Sequence, residues 1–140
     1  MKKLLIFLIS ATLIVSWGMA QSTSALYQEA NKVFQTYRYK VSYENFRLHT
    51  FTQGDKEVLE LVIVINSRRN NFDEAMLVGF AASGAAITHT GTKVDLVNVV
   101  IKVQYKDEVS ISAIADAPDV IALYENKLAP NAFMAKVIFH

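Results

Sequence analysis

The residue types that most often carry chemistry are present in this chain but lie far apart. The three histidines, His49, His89 and His140, have no second metal-ligand type two to four residues away. Metal sites usually combine ligands at such short spacings, so the sequence predicts no metal site. His89 lies near the end of a predicted helix, where its charge favours the helix dipole.

No catalytic motif is present either. Gly79 and Gly84 have the outer spacing of a phosphate-binding loop, but Ala85 and Ala86 replace the lysine and hydroxyl residue that would contact phosphate and magnesium. Ser83 lacks a nucleophile-elbow pattern, and the chain has no cysteine. We therefore predict no catalytic residue and no cofactor. An enzyme of unrecognised type stays open, and it would need titratable groups that converge in a cleft.

Two groups of residues are candidates for binding. Arg68 and Arg69 lie in the polar loop that enters the central helix, where backbone N–H groups and the helix dipole favour a small anion or an acidic partner. A solvated loop is the alternative. Further upstream, Tyr37, Tyr39 and Arg47 belong to a segment that interleaves aromatic and basic residues, as a protein-binding face does. Periodicity places half of the aromatic residues of that segment in the core.

Residues 1–20 have the pattern of a secretory signal peptide. Lys2 and Lys3 precede an apolar run from Leu4 to Val15, and small residues stand at the −3 and −1 positions of a cleavage site after Ala20. We predict a periplasmic or extracellular protein. The alternative is an uncleaved membrane anchor, because Leu4 to Ala20 is barely long enough to cross a bilayer.

The composition describes one folded domain over residues 21–140. The chain is 52% hydrophobic and 19% charged, which is typical of a globular protein. Without Lys2 and Lys3 the formal charge falls from +1 to −1, so nucleic acid is not an expected partner. The fold must be held together by core packing, since disulfides are excluded.

Hydrophobic periodicity predicts an α+β fold. The expected elements, in order α-β-β-α-β-β-α-α, are a helix over 25–37, a strand over 38–51 with a bulge near 44–45, a strand over 57–66, a helix over 71–88, strands over 93–105 and 109–115, a helix over 116–128, and a final short helix that starts at Pro130 and includes Val137 and Ile138. A helix between two strands favours a right-handed crossover with those strands parallel. The sequence thus predicts a four-stranded mixed sheet with a buried central crossover helix.

Two of the predicted strands carry apolar residues on both faces. Leu61 and Ile63 alternate with Val62 and Val64, and the strand over 93–105 does the same. Helices on both sides of the sheet, or helices on one side and a partner chain on the other, account for this pattern. The central helix carries Ala, Gly and Ser four residues apart, a spacing typical of close packing.

These features favour an exported, non-enzymatic α+β domain that acts through protein–protein interaction or self-association in the bacterial envelope. The alternative is a carrier or binding protein for a small apolar or anionic ligand, with the central helix forming one wall of a pocket between helix and sheet. A membrane association is expected only through an uncleaved leader.

Overall fold

The computed structural model describes residues 24–37, 43–65, 72–105 and 107–140. The signal-peptide prediction, the start of the first strand, Tyr39, Arg68 and Arg69 lie outside these residues. The elements are α1 (24–37), β1 (Tyr43–Gln53), β2 (Lys56–Ile65), α2 (Phe72–Thr90), β3 (Leu96–Tyr105), β4 (Asp107–Asp116), α3 (Ala117–Tyr124), α4 (Pro130–Lys136) and β5 (Ile138–Phe139).

The fold is α+β with a mixed sheet in the order β1-β2-β3-β4-β5. β2 and β3 are parallel, while the pairs β1–β2, β3–β4 and β4–β5 are antiparallel. The predicted parallel crossover through the central helix is therefore confirmed. The predicted bulge is also present, as a register shift between Tyr43 and Asn45.

The prediction of four strands was wrong, because the end of the chain adds a fifth. Helix α4 stops at Lys136, and Ile138 and Phe139 then pair with Ile114 and Ala113. A helix of only two turns has little stability of its own, whereas strand pairing satisfies backbone groups along part of the edge of β4. Ile138 and Phe139 therefore extend the sheet, while Val137 follows the end of α4.

The sheet has two faces with different environments. The helix face carries the side chains that form the core with all four described helices. Its central residues are Leu59, Leu61, Ile63, Ile65, Val97, Val99, Ile101 and Val103. The opposite face, called here the open face, contributes no described side chain to that core. Within the described residues, the helices thus lie on one side of the sheet.

Helix α2 is the predicted buried crossover helix, and two glycines set how closely it packs. A Cβ atom at Gly79 would lie 2.8 Å from Val99 Cγ1 and 3.0 Å from Ile63 Cδ1 on the sheet. A Cβ atom at Gly84 would lie 2.8 Å from both Tyr124 Cβ and the backbone oxygen of Val120 in α3. The two glycines therefore let α2 approach the sheet at one point and α3 at another.

The two remaining helices are anchored by aromatic contacts. In α1, the Tyr27 ring stacks on Phe46 of β1 at a centroid distance of 4.4 Å, and Phe34 contacts the same ring at 4.5 Å. In α4, the buried Phe133 ring meets Phe80 of α2 edge to face at 5.0 Å. These contacts hold α1 over β1 and α4 against α2.

Replacing the two glycines with alanine tests this packing, since both substitutions occur in one helix and bring the same gain in helix propensity, about 1 kcal/mol. We expect Gly84→Ala to lower the free energy of unfolding by about 1–3 kcal/mol, because its neighbour is backbone that cannot rotate away. Gly79→Ala meets the ends of side chains and should cost less. Urea denaturation of both variants measures the difference. A Gly84→Ala variant at least as stable as Gly79→Ala would contradict the conclusion that Gly84 sets the distance between α2 and α3.

Candidate functional site

A row of polar side chains crosses the open face from strand to strand. His49, Glu60 and Asn98 are register partners on β1, β2 and β3. His49 Nε2 lies 3.3 Å from Glu60 Oε1, and Asn98 Nδ2 donates a hydrogen bond of 2.8 Å to Glu60 Oε2. His140 Nε2 donates to Asn98 Oδ1 at 3.2 Å. We call these four residues the polar row.

The two central members of the polar row, Glu60 and Asn98, both have partners within the row. Glu60 uses one carboxylate oxygen for His49 and the other for Asn98, and Asn98 uses its oxygen for His140. Asn98 is only 8% exposed, so its two hydrogen bonds offset the cost of burying the amide. His140 is held in place by its own backbone N–H, which donates to the Ser112 oxygen at 3.0 Å.

Apolar side chains surround the polar row. Val58, Val62 and Val64 of β2 are buried on the open face, Val100 and Ile114 are half-buried, and Ile138 is 66% exposed. Further described residues of this face are Arg47, Phe51, Leu96, Lys102, Ser110 and Ser112. The open face therefore mixes polar and apolar side chains. Its β2 valines are already buried, and its more exposed apolar side chains are Val100, Ile114 and Ile138.

The polar row brings together side chains that donate and accept hydrogen bonds. Its members are two imidazoles, an amide and a carboxylate, and none of these is a hydroxyl or thiol nucleophile. Among the described residues, no group of three or more His, Asp or Glu side chains is placed to hold a metal ion. The row orients both imidazoles, since each Nε2 faces an acceptor and each Nδ1 is directed elsewhere.

A second feature is a groove of about 450 Å³ in the helical layer. It is open to solvent and lies between the end of α1, the start of α2 and the end of α3. Its described lining is Val33, Thr36, Tyr37, Glu74, Leu77, Val78, Ala81, Leu123, Tyr124, Asn126 and Pro130. Most of these side chains are apolar or aromatic, and the volume is within the range of small-molecule sites, about 300–1,000 Å³.

Two features define the walls of the groove. Leu77, Val78 and Ala81 of α2 form an apolar wall, since they lie on the part of that helix that does not meet the sheet at Gly79. Tyr124 shares a hydrogen bond of 2.8 Å between its hydroxyl and His89 Nε2. Because this bond draws the hydroxyl towards His89, the Tyr124 side chain is fixed in orientation. The sequence predicted a pocket between α2 and the sheet. At Gly79 that interface is closely packed, and the groove lies on another side of α2.

The structure separates the sequence-predicted binding residues that it describes. Tyr37 is 37% exposed at the groove, whereas Arg47 pairs in register with Val62 and lies on the open face. They are therefore on opposite sides of the sheet and do not form one aromatic and basic surface. Phe46, between them in sequence, is buried in the core. Tyr39, Arg68 and Arg69 stay outside the described residues.

Sequence reasoning missed the polar row. His49 and His140 were judged isolated because their partners are Glu60 and Asn98, and the hydrogen bonds that join the three strands depend on register. His140 reaches Asn98 only because β5 pairs with β4. The one available signal was Glu60 and Asn98 themselves, polar residues at strand positions flanked by valine and leucine.

Comparison with known proteins finds no matching family model, curated protein or solved structure. Function must therefore be argued from the sites themselves. Within the described part of the chain, no helix is long and apolar enough to span a membrane.

The polar row can be tested by an isosteric change at its centre. Asn98→Asp replaces the Nδ2 donor with a carboxylate oxygen beside Glu60, so we expect a loss of unfolding free energy of about 2 kcal/mol or more near neutral pH. The loss should shrink at about pH 4, because a proton on the introduced carboxyl group restores a donor towards Glu60. Urea denaturation at both pH values measures it.

Asn131→Asp is the matched control for this test. Asn131 is exposed in the first turn of α4, where a new carboxylate meets the favourable end of the helix dipole. We expect it to change stability little at either pH. If Asn98→Asp were equally harmless at neutral pH, the hydrogen bond between Asn98 and Glu60 would be absent from the folded protein in solution.

Proposed function

We propose that this protein is an exported, non-enzymatic domain that self-associates through the open face of its sheet. The observation that carries the proposal is the asymmetry of the fold. All described helices join the core on one side of the sheet, while the strands carry apolar side chains on both sides. A sheet face that exposes apolar side chains is normally covered by another layer, and a second copy is the most economical source of that layer.

The polar row makes the open face suited to burial. A charged or amide group that enters an interface without partners costs several kcal/mol. Here Glu60 and Asn98 already have partners within their own chain, so covering them breaks no hydrogen bond within the chain. The surrounding Val100, Ile114 and Ile138 add apolar area that is lost to water on association.

The exposure of the face limits the strength of a dimer. Val58, Val62, Val64 and Asn98 are already buried in the single chain, so association can bury only the parts of the face that are still exposed. Specific interfaces of small area are typical of weak complexes. This favours a reversible dimer over a permanent one.

Self-association is tested by introducing a charge at the centre of the open face. We expect the purified protein to dimerise reversibly between about 1 and 200 µM, and Val100→Lys to shift it to monomer, because a lysine ammonium would be buried between the sheets. Sedimentation velocity over that range measures the equilibrium. Circular dichroism and the thermal midpoint establish that Val100→Lys is folded.

Val109→Lys is the matched control. Val109 is 50% exposed on β4 and pairs with Val103 of the helix face, so it lies on the other side of the sheet. The control should leave the dimer unchanged. A wild-type protein that stays monomeric at 200 µM, or an equal effect of both substitutions, rules out the open face as a dimer interface.

Export is supported by the leader pattern in residues 1–20. If the leader is cleaved, protein recovered from the envelope or medium of a bacterial host should have the intact mass of residues 21–140, with Gln21 at its N-terminus. Mass spectrometry of that fraction measures this. Full-length protein retained in the membrane fraction would instead establish the uncleaved anchor, and full-length protein in the cytoplasm would rule out export.

A further inference from the structure

We propose that the groove between α1, α2 and α3 binds a small apolar molecule that carries one hydroxyl or amide group, with its apolar body against α2 and that group at Asn126. This inference is independent of self-association, because the groove lies in the helical layer and the open face lies on the other side of the sheet. It assigns no role to Glu74 or Tyr37, since both residues already have interaction partners.

The volume of the groove argues for a small molecule. About 450 Å³ is room for a molecule with one or two rings or a short alkyl chain, and it falls within the range of small-molecule sites, about 300–1,000 Å³. Because the groove is open to solvent, such a molecule enters without a change in the fold.

The wall formed by α2 supplies apolar contact area. Leu77 and Ala81 are half-buried, so part of each side chain still meets solvent, and Val78 between them is buried. Val33 of α1 and Leu123 of α3 continue the apolar surface on either side. An apolar body that covers this surface removes it from water, which favours binding.

Asn126 provides a hydrogen-bonding group in the lining. It follows α3 with a φ of 61°, in the left-handed region that asparagine tolerates better than most residues. Its backbone N–H donates to the Leu123 oxygen at 3.2 Å, and the N–H of Lys127 donates to the Ala122 oxygen at 2.8 Å. These bonds fix the backbone beside the groove. The Asn126 side chain is exposed and forms no hydrogen bond with any residue that the structure describes.

The hydroxyl groups of Thr36 and Tyr124 in the lining are already engaged. The Thr36 hydroxyl donates to the Lys32 backbone oxygen at 3.1 Å, and the Tyr124 hydroxyl shares its hydrogen bond with His89. The amide of Asn126 both donates and accepts, so it suits a hydroxyl or an amide group on the ligand. A ligand with one such group keeps it paired while the apolar body leaves water.

The groove needs little rearrangement to bind such a molecule. Gly84 brings α2 against α3, which sets the distance between the α2 wall and Leu123. The hydrogen bond between Tyr124 and His89 fixes a further part of the lining. A preformed site loses less conformational entropy on binding, which favours measurable affinity for a small ligand.

Two probes of equal size separate the apolar contacts from the hydrogen bond. Ethylbenzene and benzyl alcohol differ only in that a hydroxyl group replaces a methyl group. Two-dimensional NMR of the isotope-labelled protein, titrated with each probe, measures the affinities and identifies the backbone amides whose signals shift. We expect both probes to bind with millimolar or tighter dissociation constants and to shift the signals of Leu77, Ala81 and Leu123. If neither probe shifts these signals at millimolar concentration, the groove is not a binding site.

Asn126→Gly tests the hydrogen bond. Glycine adopts a positive φ readily, so the variant removes the amide without straining the backbone. We expect benzyl alcohol to bind about two- to tenfold more weakly to the variant, the contribution of one hydrogen bond, while ethylbenzene binds as before. An equal change for both probes, or no change for either, overturns the contact with Asn126.

Ala81→Leu tests the location of the bound probes. Leucine at this position fills space beside the α2 wall, so we expect both probes to bind at least about fourfold more weakly, which corresponds to the loss of one buried CH₂ group. Ala135→Leu makes the same change on the exposed surface of α4 and should leave both affinities unchanged. Equal losses in the two variants would place the probes outside the groove. The Asn126→Gly comparison decides the proposal even if Ala81→Leu fails to fold.

Val100→Lys separates this proposal from the proposed function. That variant changes the open face and should bind benzyl alcohol as the wild-type protein does. If it loses benzyl alcohol binding while remaining folded, the probe is bound at the open face and the groove is not the site.

Discussion

The close approach of α2 to the sheet is the constraint on which the rest of the structure depends. Gly79 lies against Val99 and Ile63, which belong to the two parallel strands that α2 connects. A right-handed crossover can cover only one side of those strands. Helix α3 packs against α2 at Gly84, and α4 packs against α2 at Phe80. Helix α1 packs on β1 in the same layer. The helices of the described residues therefore all lie on the side of the sheet that α2 covers.

This arrangement gives the molecule two surfaces with different physical properties. On the helical side, α2 cannot bury its whole circumference, because the sheet and α3 each occupy only one sector of it. The remaining sector becomes the wall of the groove. On the other side, the strands that are apolar on both faces have no described helix above them. Both candidate sites thus depend on where α2 packs. The groove lies beside α2, and the open face lies on the other side of the sheet.

The local parts of this fold were predictable from the sequence. A change in the parity of apolar residues after Tyr43 indicated the bulge, and the small residues of α2 indicated close packing. These signals depend on neighbours within a few residues. Strand β5 was missed because Pro130 and the apolar residues after it also match a helix, and only the unpaired edge of β4 decides between the two.

The candidate sites were less predictable, since they depend on distant pairings. The groove draws on three helices whose angles no periodicity specifies. For the polar row, Glu60 and Asn98 are 38 residues apart in sequence, and Asn98 and His140 are 42 apart. A shift of one residue in any of these strands would move a member of the row to the helix face. The binding residues inferred from local composition were therefore the least secure part of the prediction, and Tyr37 and Arg47 proved to lie on opposite sides of the sheet.

The polar row also bears on how two open faces would meet. An entirely apolar sheet face packs against another in many registers of similar energy, because apolar contacts have little directional preference. The polar row reduces the number of registers of similar energy, because its hydrogen-bonding groups already have partners. Glu60 and Asn98 keep their own partners only where the opposing face does not compete for them, so registers that place a cation or an unpaired donor over the row are disfavoured. Lys102 and Arg47 lie on the same face, and they disfavour the registers in which like charges coincide. In the proposed dimer, the row would contribute specificity, and the free energy of association would come from the exposed parts of Val100, Ile114 and Ile138.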